Sequence, residues 1–307
     1  MDAFAATRLA MGAGFLLVAA ASDARTRKVR DLLWISLGSI GLVLITAELV
    51  LVSPKDGVAW SLVGCTAILF YAIFFGAPLF DEDGFHRRPR RLILWFVAVA
   101  LFLYPVSLLV SGTALPSTTL ELYSMPAMVV VYQGFYRVRL LHGGSDAKGL
   151  IALGLLLPLY PDASPFPLLV PDPIFQQALR LIFPFSLAIW VDAAILALGV
   201  PLVLLLVNAV RGDLAFPQAL LGYRAPTNAF PRHAWLMEKF DARGERILVL
   251  FPKRGGDPAA DLERLRAAGI DRVWVTPQIP FMVPLLGGFL LAVLVGNLLI
   301  ALLGLAG

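Results

Sequence analysis

Residues 9–34 read LAMGAGFLLVAAASDARTRKVRDLLW, and their character changes once. No ionisable side chain occurs over 9–22; then Asp23, Arg25, Arg27, Lys28, Arg30 and Asp31 follow in quick succession before Trp34 opens a second apolar run. With its flanking residues the first run approaches the roughly 20 residues that a helix needs to cross a hydrocarbon core. The basic cluster follows the apolar run instead of preceding it. That order puts the cluster in the cytoplasm and the N-terminus outside, and it argues against a cleavable signal peptide despite the small residues Ala19, Ala20 and Ala21.

The pattern extends over the whole chain. Of 307 residues, 59% are apolar and 15% charged, with a mean hydropathy of +0.82. A soluble domain carries about a quarter charged residues, so this composition excludes an ordinary cytoplasmic globule and a disordered chain. Further uncharged stretches run 32–47, 57–80, 92–120, 122–136, 181–191, 193–210 and 273–307. They predict a polytopic α-helical bundle of eight helices near 5–22, 31–52, 58–79, 92–111, 121–140, 147–160, 176–210 and 281–304. The sixth, at ~15 residues of 1.5 Å each, falls short of a ~30 Å core and is expected to be a short or partly inserted span.

With the N-terminus outside, 22 of the 25 Lys and Arg residues fall on the cytoplasmic side, eleven of them in 211–280. Outside, Lys55 is the basic loop residue, while Arg8 and Arg180 lie in the outer halves of helices. This positive-inside asymmetry explains a net charge of +4 without a nucleic-acid partner, and it implies a multi-pass protein of the plasma membrane. The single cysteine, Cys65, excludes an intrachain disulfide and a multi-cysteine zinc site. His86, His142 and His233 are scattered, so neither a metal nor another cofactor is expected.

Residues 211–280 differ in kind, dividing the chain into a bundle over 1–210, a cytoplasmic insert and a final transmembrane helix in 281–307. Short strand-like runs occur at Trp235–Met237, Ile247–Phe251 and Val273–Val275, and Leu262 and Leu265 repeat at helical spacing behind Asp257 as a cap. The reading is a small αβ insert, near the lower size limit for independent stability. The loop 161–173, with Pro161, Pro165, Pro167, Pro171 and Pro173, reads as a stiff outer connector.

Acids at or within a membrane are costly and are functional candidates for that reason. Asp23 ends the first span at the inner interface. Asp146 follows Gly143, Gly144 and Ser145 where a helix re-enters the membrane, a position that an N-cap would also explain. An even number of spans separates the two acids, so both lie on one face. Two carboxyls brought together in a partly dry site share a proton, one acting as base and the other as acid, and such a pair activates water against a peptide carbonyl. Spacing alone does not establish that the two helices touch.

The stretch from Asp23 to Trp34 with Gly143-Gly144-Ser145-Asp146-Ala147-Lys148 resembles the type IV prepilin peptidases, a family of membrane aspartyl proteases. The run from Val273 to Pro284, leading into a terminal helix, is similar to the archaeal branch that processes preflagellins (archaellins) and prepilins. The resemblance implies that Asp23 and Asp146 are the catalytic pair, supported by Gly143, Gly144, Ser145 and Lys148, with Arg25, Arg27, Pro280 and Phe281 available to substrate or to an interface. Its partners would be precursor peptides and membrane lipid. Two features depart from the family: Ser145 stands where the Gly-x-Gly-Asp motif has glycine, and two extra spans lie between the motifs. Members that also N-methylate carry paired cysteines for zinc, which implies cleavage without methylation here.

Asp31 is expected to cap the second helix. Lys148 is expected to anchor a helix end or touch substrate, and the aromatics Trp34, Trp60, Trp95 and Tyr104 to be core or interface anchors. Asp192, between Pro184 and Pro201, is expected to be buried in the bundle with Asn208 or Ser186 as partner. The rival reading is a transporter or channel in which Asp192 and helices broken at those prolines form an ion site. A non-catalytic scaffold built around 211–280 is a third.

Overall fold

A computed structural model describes residues 2–76, 80–81, 84–85, 88–141, 143–170, 173–241, 243–252 and 258–303. His86, His142 and the expected cap Asp257 lie outside these residues. In chain order the elements are α1 (Ala3–Thr26), α2 (Asp31–Val52), α3 (Gly57–Phe75), β1 (Phe80–Asp81), β2 (Gly84–Phe85), α4 (Pro89–Val110), α5 (Ser117–Glu121), α6 (Ser124–Arg137), α7 (Gly144–Leu156), α8 (Pro173–Ile182) and α9 (Phe185–Val210). Then come α10 (Gln218–Leu221), β3 (Tyr223–Pro226), a 3-10 turn at Thr227–Ala229, β4 (Ala234–Leu236), β5 (Glu238–Phe240), β6 (Arg246–Leu248), α11 (Pro258–Ala267), β7 (Arg272–Pro277), α12 (Met282–Leu294) and α13 (Leu298–Leu302). The chain forms two compact units, Met1–Ala194 with Phe281–Gly307, and Ile195–Pro280. The first is a polytopic helical bundle, and the second is a small sheet-bearing insert before the last helix.

Among the described residues five helices, α1 to α4 and α9, are long and apolar enough to cross a membrane. The remaining expected spans are shorter or divided. The stretch 121–140 forms the 14-residue α6, shorter than expected at both ends. The stretch 176–210 breaks between α8 and α9 ahead of Pro184, which lacks an N–H and disfavours helical backbone at the residue before it. The last span breaks between α12 and α13, where Gly296 takes a φ of 108°. At that break Leu168 N–H donates to the Leu294 carbonyl at 3.0 Å, and Leu169 N–H to that of Val295 at 2.9 Å. Backbone groups freed inside a membrane need such partners, since lipid offers none.

The 13-residue α7 is the short sixth helix, and it is buried over Ala147 and from Gly149 to Leu156. It survives as a short element because α2 and α6 enclose it. Small residues set how closely they do so. A Cβ on Gly41 of α2 would fall 2.7 Å from the Leu155 carbonyl of α7, and one on Gly149 of α7 would fall 3.2 Å from the Trp34 ring of α2. Outward, α4 exposes Ile93, Leu94, Phe96, Val97 and Val99, the surface that lipid tails cover in a bilayer.

In the second unit β7 is the middle strand of an antiparallel sheet ordered β3-β7-β4. Val273 and Val275 pack with Leu262 and Leu265 of α11, while Trp274 packs with Ala219 and Met237. Alternation along one strand thus fills two faces. Glu238, only 4% exposed, takes the Arg246 guanidinium at 2.5 Å and the Trp274 N–H at 3.0 Å. Asn208 donates to the Ala219 and Gly222 carbonyls at 2.9 and 2.7 Å.

The close α2–α7 approach makes a prediction. Gly41→Ala forces a methyl onto backbone and should destabilise the protein by about 1–3 kcal/mol. Gly14→Ala, whose Cβ meets nothing within 4 Å, should leave the thermal midpoint in detergent unchanged. Equal midpoints for both variants would contradict the packing.

Candidate active site

Asp23 lies in the last turn of α1. The helix stops because Arg27 adopts a left-handed conformation, φ 55°, with its N–H on the Asp23 carbonyl at 2.9 Å. The Arg27 side chain also turns inward, donating from Nη1 to the Asp23 and Ala24 carbonyls at 2.9 and 3.1 Å. Ser22 Oγ donates to the Lys28 carbonyl at 2.8 Å and closes the turn. The Arg27 guanidinium is thus engaged with carbonyls at the helix C-terminus, where a cation is favoured. Arg25, by contrast, is exposed.

The half-buried Asp23 carboxylate accepts the backbone N–H of Met282 at 3.1 Å. Met282 is the first residue of α12, whose N-cap is Phe281, preceded in the chain by Pro280. The opening N–H groups of a helix have no partner within it, so a carboxylate there satisfies one of them. One hydrogen bond therefore ties the first span to the last across 259 positions of sequence.

Asp146 sits one turn into α7, at its third residue and not at the cap. Gly143 is the N-cap. Its N–H donates to Asp146 Oδ2 at 3.1 Å, and the Asp146 N–H donates back to the Gly143 carbonyl at 3.0 Å. The Asp146 carboxylate thus makes one half of a capping box, and the Gly143 carbonyl takes the N–H that an N-cap side chain would otherwise accept. The glycine is required by the carboxylate itself, because a Cβ on Gly143 would overlap Asp146 Oδ2 and come within 2.7 Å of its Cγ. A Cβ on Gly144 would meet Tyr136 at an ordinary 3.5 Å.

Ser145, the departure from the glycine motif, has a partner. Trp34 Nε1–H donates to Ser145 Oγ at 2.8 Å, and Trp34 is fully buried. The hydroxyl and the indole satisfy each other. Trp34 is the core anchor that was expected, and its hold on Ser145 is a site role that sequence reasoning did not assign, although a hydroxyl in a tight motif calls for a donor nearby.

Asp31 is the first residue of α2, after the N-cap Arg30, and is not the cap that was expected. Its carboxylate instead takes the Lys148 ammonium at 2.6 Å, while Lys148 Nζ lies 5.2 Å from the centre of the Phe74 ring. With the Asp31 side chain 55% exposed, this pair is worth about 0–1 kcal/mol and serves mainly to align α2 with α7.

These contacts set the depth of both acids. Trp34 meets Ser145, and Gly41 meets Leu155, so α2 and α7 run side by side in one direction. The turn at 27–30 sends α1 the opposite way, and a Cβ on its Gly12 would lie 3.4 Å from Leu156. Counting from that contact, Asp23 lies about 16 Å along α1 and Asp146 about 15 Å back along α7, at 1.5 Å per residue. The two acids sit at one end of the bundle and at one level.

Asp192 is elsewhere. It is fully buried, and its Oδ1 accepts the Leu298 N–H at 2.9 Å, beyond the α12–α13 break and away from the end where α12 meets Asp23. The expected partners are engaged otherwise: Ser186 Oγ accepts from the Tyr132 hydroxyl at 3.0 Å, and Asn208 binds carbonyls of the second unit. Helix α9 continues through Pro201. Asp192 thus satisfies backbone at a helix break. Among the described residues no cluster of three His, Cys, Asp or Glu could hold a metal ion.

Residues 215–298 match the family model described as Archaeal Peptidase A24 C-terminus Type II. A preflagellin peptidase of Methanocaldococcus jannaschii is 26% identical over 179 residues, covering 56% of this chain and 70% of the relative. Together the two matches support the archaeal prepilin and preflagellin peptidase family for this chain, the family that its aspartate motifs resemble.

Proposed function

We propose that this membrane peptidase is of the aspartyl type, with Asp23 and Asp146 as its catalytic pair, and that it removes the short basic leader from preflagellin or prepilin precursors at the cytoplasmic face. The observation that carries the reading is the common level of the two half-buried carboxylates at the bundle end where α1 stops and α7 and α12 begin. The family match and the name of the relative support the substrate class. The positive-inside charge distribution supports the cytoplasmic side. A chain with Cys65 as its one cysteine lacks the paired thiols of the methylating members, in line with cleavage without N-methylation.

In this mechanism one carboxylate takes a proton from water as its oxygen attacks the scissile carbonyl carbon, while the protonated partner gives its proton to the carbonyl oxygen. Collapse of the tetrahedral species returns that proton to the acid, and the C–N bond breaks as the leaving nitrogen is protonated. The Met282 N–H fixes the Asp23 carboxylate, and the Gly143 N–H fixes that of Asp146, so neither must be ordered when substrate arrives. The substrate's own apolar helix holds its leader near the pair and supplies proximity before chemistry begins.

Incubating membranes with a preflagellin tests the assignment. Asp23→Asn and Asp146→Asn should each slow cleavage at least about a hundredfold at normal abundance. Full processing by either variant contradicts the pair. Gly143→Ala, whose methyl displaces the Asp146 carboxylate and its capping bond, should lower the cleavage rate about ten- to a hundredfold and destabilise the protein by about 1 kcal/mol. A wild-type rate in that variant would show that the Asp146 position does not matter.

A further inference from the structure

Away from the aspartates, a groove of about 580 Å³ opens between α3, α4 and α6. Leu69, Ile73, Trp95, Val129 and Val130 make its apolar walls. Its polar residues, Arg91, Gln133 and Arg137, gather where α3 and α6 end and α4 begins, the same end of the bundle as Asp23 and Asp146. A second hollow, of about 450 Å³, shares Leu69, Ala72, Gly76, Arg91 and Trp95 with the first. Two apolar channels therefore meet at one guanidinium.

Both cations are positioned, and among the described residues neither has an acidic partner. Gly76 makes room for Arg91, since a Cβ there would overlap the guanidinium, and Arg91 Nη2 donates to the Ala72 carbonyl at 3.3 Å. That bond leaves most of its N–H donors unused. Arg137 is exposed, and among the described residues it has no hydrogen bond or ion pair. Neither arginine has a part in the proposed hydrolysis.

We propose that the groove is a binding site for an anionic two-chain phospholipid, its phosphate between Arg91 and Arg137 and its chains in the two hollows that meet at Arg91. Charge complementarity selects this occupant. Guanidinium forks match phosphate oxygens, and apolar channels that join at a cation match a lipid whose two chains join at its charged head. A precursor peptide with a basic leader is disfavoured by the same two charges. Helices α3, α4 and α6 supply the walls of the first hollow, and α3 and α4 those of the second.

The test is lipid retention by the full-length protein, read by native mass spectrometry after delipidation in detergent and re-addition of phosphatidylglycerol or phosphatidylcholine. Wild type should retain phosphatidylglycerol in preference, and inorganic phosphate should not displace it. Arg91→Gln and Arg137→Gln should each weaken retention about fivefold, and about thirtyfold together, at roughly 1 kcal/mol per basic residue. Gly134→Leu gives an independent check, because Gly134 lines the groove and its Cβ would meet nothing within 4 Å, so a larger side chain starts in open space there. It should abolish retention while the fold persists. Equal retention of both lipids, an unchanged double variant, competition by inorganic phosphate, or photo-crosslinking of a precursor peptide into the groove would overturn the proposal. Lipid retention is measured without substrate, so it stands or falls separately from the peptidase assignment.

Discussion

The hydrogen bond from the Gly143 N–H to the Asp146 carboxylate, 3.1 Å long, closes the first turn of a helix that the bundle buries along nearly its whole length. A helix of 13 residues is about 20 Å long and cannot span a ~30 Å core alone, so its ends need partners that a longer span finds in water. At its start those partners are its own N-cap glycine, Trp34 on Ser145 and Asp31 on Lys148. The same turn that stabilises the short helix also holds the carboxylate. Stability and placement of the acid are one constraint.

From that turn the rest of the arrangement follows. Because α2 starts beside α7, and α1 returns from α2 through a tight turn, the end of α1 arrives at the level where α7 begins. The first N–H of α12 then completes the convergence on Asp23. At the other end of the bundle, α12 breaks near Gly296, and the freed backbone groups find Leu168, Leu169 and Asp192. An intramembrane acid that reads as an ion site is instead a backbone acceptor. The Leu298 N–H on its Oδ1 offsets part of the cost of burying it.

Much of the architecture was legible because membrane insertion acts on composition and on the sign of flanking charge, which are local. The long spans α1 to α4, the shortness of α7 and the shared face of Asp23 and Asp146 all follow from such signals. The break in the eighth stretch, at Gly296, was not read, and the one at Pro184 in the seventh entered only the rival reading. In an apolar run, hydropathy stays high through a turn whose backbone is satisfied by another segment. In the insert, the strands around Trp235, Ile247 and Trp274 were legible, whereas β3 (Tyr223–Pro226) ends in a proline and β5 (Glu238–Phe240) opens on two charged residues, so neither shows an apolar run. The contacts that position the acids have no local signature at all. Trp34 with Ser145, Asp31 with Lys148 and Asp23 with Met282 are separated by 111, 117 and 259 residues.

The central claim is that the two carboxyls face one another closely enough to share a proton and a water molecule. It is tested most directly in a Cys65→Ser background carrying Asp23→Cys and Asp146→Cys together, treated in membranes with a short bifunctional thiol crosslinker. The account predicts an intramolecular crosslink that a leader peptide protects against. Independent labelling of the two thiols without crosslinking would contradict it.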